Sequence, residues 1–197
     1  MVEKHLGSHG YKTWTDEGVL KFLHKKFDVK SMVDVGCGPG GMEELAVKIG
    51  IDWTGIEGDE SVKKENTILH DFTKGKIENI SSFDLAWSVE FLEHVEEKYM
   101  NNYMHVFCKC KYIICTAAPP GWGGTHHVNE QNSEYWIQKF SEHGFSYDEE
   151  VTKMARIKST MKMKNGKNKL SEIDPSIFPI SFMKLSGMFF RSNFNGT

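Results

Sequence analysis

The sequence predicts an α/β fold in which a mostly parallel sheet carries helices on both faces. Short apolar runs rich in β-branched and aromatic residues alternate with segments of helical periodicity, as in proteins built from βαβ units. Residues 33–41 pass from an apolar strand through a cluster of glycines into a helical pattern. Such a turn lets the backbone approach a ligand closely, so a nucleotide-like molecule is expected there.

Each element follows from its own pattern. Apolar runs between turn residues predict strands over residues 31–35, 52–56, 67–69, 83–87 and 112–116. Apolar residues at helical spacing predict helices over residues 16–27, 42–49, 90–106 and 133–143. The strand at 112–116 is β-branched and aromatic, which is typical of a strand buried on both faces. Residues 145–152 and 187–191 are expected to pair and to close the sheet with an antiparallel element.

The length of 197 residues favours a single domain. Residues 1–30 are expected to form an N-terminal helical cap, residues 31–152 the cofactor-binding core, and residues 153–197 a basic segment and closing strand. Residues 153–169 include seven basic and no acidic side chains. A solvated helix face followed by a loop is preferred there over a nucleic-acid patch.

Composition narrows the partners. The formal net charge is −3, and Arg156 and Arg191 are the only arginines, so a small-molecule acceptor is favoured over nucleic acid. No apolar stretch approaches the roughly 20 residues that cross a bilayer, which predicts a cytoplasmic protein without a membrane partner. The four cysteines form no CxxC pair, so neither a disulfide framework nor a zinc ribbon is supported. The oligomeric state stays open.

The glycine loop by itself fits more than one cofactor. Gly36, Gly38 and Gly41 satisfy G-x-G-x-x-G, so a nicotinamide or flavin cofactor stays possible. Glu57 ends the second strand, where a carboxylate can accept hydrogen bonds from both ribose hydroxyls; the alternative is a solvated turn carboxylate. Asp34 can hold the loop amides or meet an ammonium group, and its charge would repel a dinucleotide pyrophosphate.

Taken together, these motifs resemble the class I S-adenosylmethionine-dependent methyltransferases. Asp34-x-Gly36-x-Gly38-x-Gly40 is similar to their first motif, Glu57-Gly58-Asp59 to their second, His70-Asp71-Phe72 to their third, and the segment ending at Ser88 to their fourth strand. The resemblance implies a Rossmann-like seven-stranded sheet with an antiparallel last strand, and S-adenosylmethionine as cofactor. It implies cofactor contacts from Asp34, Gly36, Cys37, Gly38, Gly40, Glu57, Gly58, Asp71, Phe72 and Ser88.

Within this resemblance, Asp71 would bind the adenine amino group and Phe72 would offer its backbone amide to the ring. The alternative for Asp71 is a helix N-cap or turn residue. Ser88 would line the methionine part of the cofactor. Trp14 would cover the cofactor or, as is more usual for a Trp beside an amphipathic helix, belong to the core.

A carboxylate and histidine cluster follows the fourth strand. On the predicted helix, Glu90, Glu93 and His94 have i, i+3 and i+4 spacing and share one face, while Leu92 and Val95 face the core. Two carboxylates and an imidazole suit Mg, Mn or Zn.

A similar E-x-x-E-H arrangement occurs in the quinone-biosynthesis O-methyltransferases and in the small-RNA 2′-O-methyltransferases. The resemblance implies a divalent ion that binds substrate oxygens. Its protein ligands would be Glu90, Glu93 and His94, with His127 as the fourth. Many methyltransferases keep a Glu-His pair here without a metal, so a structural or substrate-positioning role is preferred and metal ligation is the alternative.

His127, His126 and His94 are the candidate catalytic residues. A neutral imidazole near the transferred methyl could deprotonate the acceptor. The alternative is a loop whose polar side chains cap the helix at Ser133. Adjacent histidines do not easily point the same way, so one of His126 and His127 is expected to face the substrate.

The sequence therefore predicts a methyltransferase (EC 2.1.1) that methylates an oxygen of a small molecule. The alternatives are a metal-assisted RNA or nucleoside 2′-O-methyltransferase, a non-catalytic cofactor-binding module and a Rossmann dehydrogenase, although no hydride-transfer site is evident.

Overall fold

A computed structural model describes residues 5–6, 11–165 and 187–193. Its strands are β1 (Lys12–Thr15), β2 (Ser31–Val35), β3 (Asp52–Glu57), β4 (Thr67–Leu69), β5 (Phe83–Ser88), β6 (Cys110–Cys115), β7 (Phe145–Tyr147), β8 (Lys162–Asn165) and β9 (Met188–Ser192). Its helices are α1 (Glu17–Phe27), α2 (Gly41–Lys48), α3 (Met100–Phe107), α4 (Ser133–Glu142) and α5 (Glu149–Lys158). Within these residues, no helix is long and apolar enough to cross a membrane.

Seven of the strands form one sheet in the order β4-β3-β2-β5-β6-β9-β7. Strands β2 to β6 run parallel to one another, whereas β9 runs antiparallel to both β6 and β7. The predicted seven-stranded sheet with an antiparallel last strand is confirmed.

Apolar side chains bury both faces of this sheet. In β6, Ile113 belongs to one core cluster with Tyr103 of α3, and Ile114 belongs to the other with Leu20 of α1. Both isoleucines are fully buried, because successive side chains of a strand point to opposite faces and each face carries helices.

The strand order fixes where a ligand can bind. In the centre of the sheet, β2 has β3 on one side and β5 on the other. The chain leaves β2 toward β3 and leaves β5 toward β6, in opposite directions across the sheet. The crossovers therefore diverge at the carboxyl ends of β2 and β5. Open α/β sheets bind ligands at this switch point, and the glycine loop leaves β2 there.

The predicted helix over residues 90–106 is wrong in its first half. Glu90 has a φ of 56°, which is incompatible with a right-handed helix. Short 3-10 turns cover Leu92–His94 and Glu97–Tyr99, and the α-helix starts only at Met100. Tertiary bonds replace helical ones here, since the Glu93 carbonyl accepts hydrogen bonds from the amides of Val128 and Asn129.

The predicted strand over residues 145–152 is also too long. It ends at Tyr147 because the Asp148 carboxylate caps α5, accepting from the Val151 amide at 2.9 Å and from Arg191 at 2.7 Å. Within the predicted basic segment, α5 and β8 occupy most of 153–165, and residues 166–169 lie outside the described residues. The antiparallel pairing of β1 with β8 was not predicted.

Candidate active site

Two adjoining cavities open at the carboxyl ends of β2 and β5. The larger cavity has a volume of about 230 Å³ and the smaller one about 100 Å³. The linings of the two cavities have four residues in common, Gly36, Gly38, Glu90 and His94. One extended ligand could therefore occupy both cavities.

The glycine loop forms the floor between the two cavities. Gly36 has a φ of 73°, a conformation that side chains disfavour. A Cβ atom at Gly36 would also overlap the ring of Phe91. The amides of Gly36 and Cys37 donate to the Ile56 carbonyl at 3.0 and 3.2 Å. The loop is thus packed closely between β3 and the segment after β5.

The Glu57 carboxylate is held by backbone amides at the edge of the smaller cavity. It accepts hydrogen bonds from Gly38 and Gly58 at 2.8 Å and from Asp59 at 3.0 Å. The residue is only 9% exposed. A carboxylate has about four acceptor sites, so these three bonds orient Glu57 and leave about one site for a ligand hydroxyl.

Asp34 is a buried carboxyl in the lining of the larger cavity. Its Oδ2 accepts a hydrogen bond from the Trp53 indole at 3.4 Å. The expectation that Asp34 holds loop amides is corrected, since the Gly38 amide bonds to Glu57. Burial, reinforced by the charge of Glu57 and opposed by the Trp53 bond, raises the pKa of Asp34 to about 7.

The raised pKa of Asp34 predicts a pH-dependent stability that Asp34→Asn removes. A folded-state pKa of about 7 against an ordinary 3.8 means that the native state keeps a proton that the unfolded chain releases. The wild type should therefore lose up to about 4 kcal/mol of unfolding free energy relative to Asp34→Asn between pH 4 and 7, and no more above pH 7. Urea unfolding across pH measures this. Exposed Asp52→Asn is the control, and parallel wild-type and Asp34→Asn curves would contradict the prediction.

Asp71 and Phe72 line the smaller cavity across from the glycine loop. Oδ1 of Asp71 accepts from the Thr73 amide at 2.8 Å and the Thr73 hydroxyl at 2.7 Å, so Asp71 does cap a short 3-10 helix. Its Oδ2 lies 3.1 Å from Nε2 of His5. Burial opposes the charge, yet the bonds from Thr73 and His5 outweigh it and keep the Asp71 pKa below its ordinary value.

Two predicted cofactor contacts, Ser88 and Cys37, have different surroundings. Ser88 is directed away from the cavities, and the Cys37 thiol is unreactive. The Ser88 hydroxyl is fully buried and donates to the Val35 carbonyl at 3.1 Å, so it points into the sheet. Its neighbours Trp87 and Val89 line the larger cavity instead. Cys37 does line this cavity, but burial raises the pKa of its thiol, which disfavours the reactive thiolate.

Glu93, His94 and His127 come together although they do not share a helix face. One potential ligand atom from each lies within 4.8 Å of the others. Glu93 is fully buried; its Oε1 accepts from the Ala118 amide at 3.2 Å, while Oε2 receives no hydrogen bond from a donor in the described residues. Burial raises the pKa of both Glu90 and Glu93. The charge of Glu93 raises the Glu90 pKa further, whereas the bond with Glu90 opposes the rise at Glu93, so this pair retains a proton.

Backbone and carboxylate contacts orient the two imidazoles of this cluster. Nδ1 of His94 lies 3.2 Å from the His126 carbonyl, and burial lowers the His94 pKa to about 4, so this ring is neutral at pH 7. Nδ1 of His127 lies 2.8 Å from Glu130, and the two rings meet edge to face at 4.8 Å. His127 lines the larger cavity. The His126 ring is in neither lining, and its backbone has a φ of 60°.

Several residues of the site were not predicted. Glu130 binds His127 and also accepts from the amides of Gly121 and Gly123, which ties down the loop after β6. The Thr116 hydroxyl accepts from the Glu90 amide. His5 and Leu6 line the smaller cavity. The three-residue spacing of His127 and Glu130 was the one visible signal, because the other contacts join distant parts of the chain.

Comparisons with known proteins agree with this geometry. Residues 33–111 match a family model described as a methyltransferase domain. A ubiquinone biosynthesis O-methyltransferase of Methylococcus capsulatus is 28% identical in an alignment 121 residues long, and this alignment covers 49% of this chain and 51% of that protein. The match thus spans about half the length of this relative.

Two solved structures support the fold. The methyltransferase domain of bacterial CtHen1-CN superposes with a TM-score of 0.53 at 19% identity, covering 75% of this chain and 94% of that one. Magnesium protoporphyrin IX methyltransferase from Synechocystis, with S-adenosylmethionine bound, gives a TM-score of 0.52 at 15% identity and covers 66% of each chain.

Proposed function

We propose that this chain is a class I S-adenosylmethionine-dependent methyltransferase and that it methylates an oxygen of a small-molecule acceptor. The observation that carries the proposal is the pair of adjoining cavities, with Glu57 beside the smaller one and the His127 imidazole in the larger one. The two cavities have the adjacency that one extended cofactor and an acceptor require.

The smaller cavity fits the adenosyl part of the cofactor. Glu57 is oriented by three amides to accept from a ribose hydroxyl, and Oδ2 of Asp71 is an acceptor within the same lining. Gly36 and Gly38 line both cavities, so a ligand there could contact the backbone of the glycine loop directly. Asp34, in the larger cavity, is placed to meet the ammonium group of the methionine part.

The chemistry needs alignment and the removal of one proton. When bound, S-adenosylmethionine supplies an electrophilic methyl group with a good leaving group. Nδ1 of His127 is engaged by Glu130, so we assign Nε2 as the atom that takes the acceptor proton. Glu130 steadies the ring and stabilises the charge that it gains. The ubiquinone relative is named for O-methylation, which supports an oxygen acceptor.

Incubation with methyl-labelled S-adenosylmethionine and a panel of phenols, hydroxy acids and amines tests the acceptor class. Label is expected on a hydroxyl-bearing compound, with one S-adenosylhomocysteine formed per methyl transferred. Transfer to amines alone would overturn the oxygen assignment. Tight S-adenosylhomocysteine binding without transfer to any acceptor in the panel or to RNA would favour a non-catalytic cofactor-binding module.

A metal-assisted 2′-O-methyltransferase acting on RNA is the second candidate, favoured by the cluster of Glu93, His94 and His127. One carboxylate and two oriented imidazoles suit Mn or Zn, and the buried Oε2 of Glu93 has no hydrogen-bond donor in the described residues. A bound divalent cation would lower the pKa of a ribose hydroxyl. Glu90 lies next to these groups and would complete the ligand set.

Manganese titration tests this second candidate. If it holds, calorimetry on chelator-treated protein should detect one Mn²⁺ site in the wild type, and His127→Ala should weaken its affinity at least about tenfold. His143→Ala, on the far side of α4, is the matched control. A wild type that binds no Mn²⁺ and methylates small hydroxyl compounds at full rate in a chelator would exclude the metal-assisted reaction.

A further inference from the structure

We infer that His5 and Leu6 form a cover over the adenosyl end of the cofactor pocket and contribute directly to cofactor affinity. Both residues line the smaller cavity, together with Glu57, Asp71 and Phe72. The inference rests on the proposed cofactor pocket. It assigns a binding role to two residues far from every recognised motif.

His5 connects the cover to the pocket through Asp71. Its Nε2 lies 3.1 Å from Oδ2 of Asp71, and the two side chains are 22% and 13% exposed. Thr73 occupies Oδ1 of Asp71, so the His5 contact, with the Lys74 ammonium 3.8 Å away, holds the other oxygen, Oδ2. The ring of His5 also lies 6.3 Å from the His126 ring. His5 therefore spans the loops that follow β4 and β6.

Leu6 supplies an apolar surface over the ribose side. It packs so closely on Gly58 that a methyl group added there would overlap the Leu6 side chain. Gly58 immediately follows Glu57, whose carboxylate accepts its amide hydrogen. Ile56 and Phe72 add further apolar surface to the same lining. A planar adenine bound below Leu6 would be enclosed by apolar groups, with polar atoms at the rim, as in most small-molecule sites.

The contacts of this cover concentrate on the cavity rim. Asp71, Gly58 and His126 all belong to loops at the carboxyl edge of the sheet, and they come from three separate parts of the chain. A ligand in the smaller cavity would touch the inner surface of the cover and bury it further. Removing the cover should therefore reduce affinity for the adenosyl group and leave the acceptor site and the chemical step unchanged.

Calorimetric titration of the full chain with S-adenosylhomocysteine tests the cover. Leu6→Ala and His5→Ala are each expected to weaken binding about tenfold, in keeping with the loss of one buried apolar contact or one charged hydrogen bond. Ile157→Ala, which removes a 70% exposed side chain on α5, is the matched control and should bind like the wild type. Variants that bind within twofold of a binding-competent wild type would overturn the inference.

Steady-state kinetics separates a cover from a merely structural contact. The KM for S-adenosylmethionine should rise about tenfold in Leu6→Ala, while kcat and the acceptor KM stay at wild-type values. A fall in kcat with unchanged cofactor KM would contradict the inference. If the wild type itself bound no S-adenosylhomocysteine, the proposed function would fail first, and equal loss of binding in every protein would identify that case.

A double-mutant cycle checks the contact with Gly58. Gly58→Ala should weaken S-adenosylhomocysteine binding in the wild type by displacing Leu6, and should weaken it less when Leu6 is already alanine. Additive effects in the double variant would mean that Leu6 does not lie on Gly58 in the cofactor complex, which would also overturn the inference.

Discussion

Replacement of Glu57 by alanine is expected to weaken S-adenosylhomocysteine binding by at least about a hundredfold. A ribose hydroxyl that donates to a charged carboxylate is worth up to about 3 kcal/mol, which corresponds to a factor of that size. The substitution also releases the amides of Gly38, Gly58 and Asp59, which now converge on this side chain. The glycine loop would lose the support that shapes it for a ligand.

Calorimetry on Glu57→Ala and Glu57→Gln separates charge from shape. The glutamine keeps an acceptor for one of the amides, so its loss should be smaller than that of the alanine. Exposed Glu65→Ala, just before β4, is the matched control. Binding by Glu57→Ala at wild-type affinity would show that the carboxylate does not hold the ribose.

The second large effect is expected from His127→Ala, which should lower kcat by about a hundred- to a thousandfold. His127 is the histidine of the loop after β6 that lines the larger cavity, and Glu130 fixes its ring. Both a proton-accepting and a metal-binding role require its imidazole. S-Adenosylhomocysteine affinity should stay within about twofold of wild type, because the proposed cofactor contacts are assigned to Asp34, Glu57 and Asp71 and not to His127.

His126→Ala and His143→Ala provide the comparison for His127. The His126 ring is in neither cavity lining, so its removal should cost far less activity than removal of His127. An equal loss of kcat in His126→Ala and His127→Ala, with both proteins folded, would contradict the assignment of the proton acceptor to His127.

Local patterns predicted the sheet well because its strands are buried on both faces. Ile113 and Ile114 belong to core clusters on opposite faces of the sheet. Burial on both faces produces the continuous apolar run that predicts such a strand. The segment from Glu90 to Val95 was wrongly predicted to be helical. Its apolar and polar residues have helical spacing, but several of its backbone hydrogen bonds go to residues distant in the sequence. The Glu93 carbonyl accepts hydrogen bonds from the amides of Val128 and Asn129, which are too distant in the sequence for a local pattern to include.

Sequence patterns were informative for site residues that directly follow a strand. Glu57 ends β3 beside the glycine loop, and its carboxylate binds loop amides as well as facing the smaller cavity. His5 could not be found in this way, because its partner Asp71 lies 66 residues away in the sequence. Glu130 binds residues of its own loop, and its spacing from His127 was the one local signal. Ser88 failed for a simple reason: alternate side chains of β5 point to opposite faces, and its hydroxyl bonds to Val35.

The central claim is that the two joined cavities hold S-adenosylmethionine. Parallel calorimetric titrations of the wild-type chain with S-adenosylhomocysteine and with a nicotinamide dinucleotide test it most directly. The account predicts saturable binding of one S-adenosylhomocysteine per chain and none of the dinucleotide. Binding of the dinucleotide without binding of S-adenosylhomocysteine would contradict it.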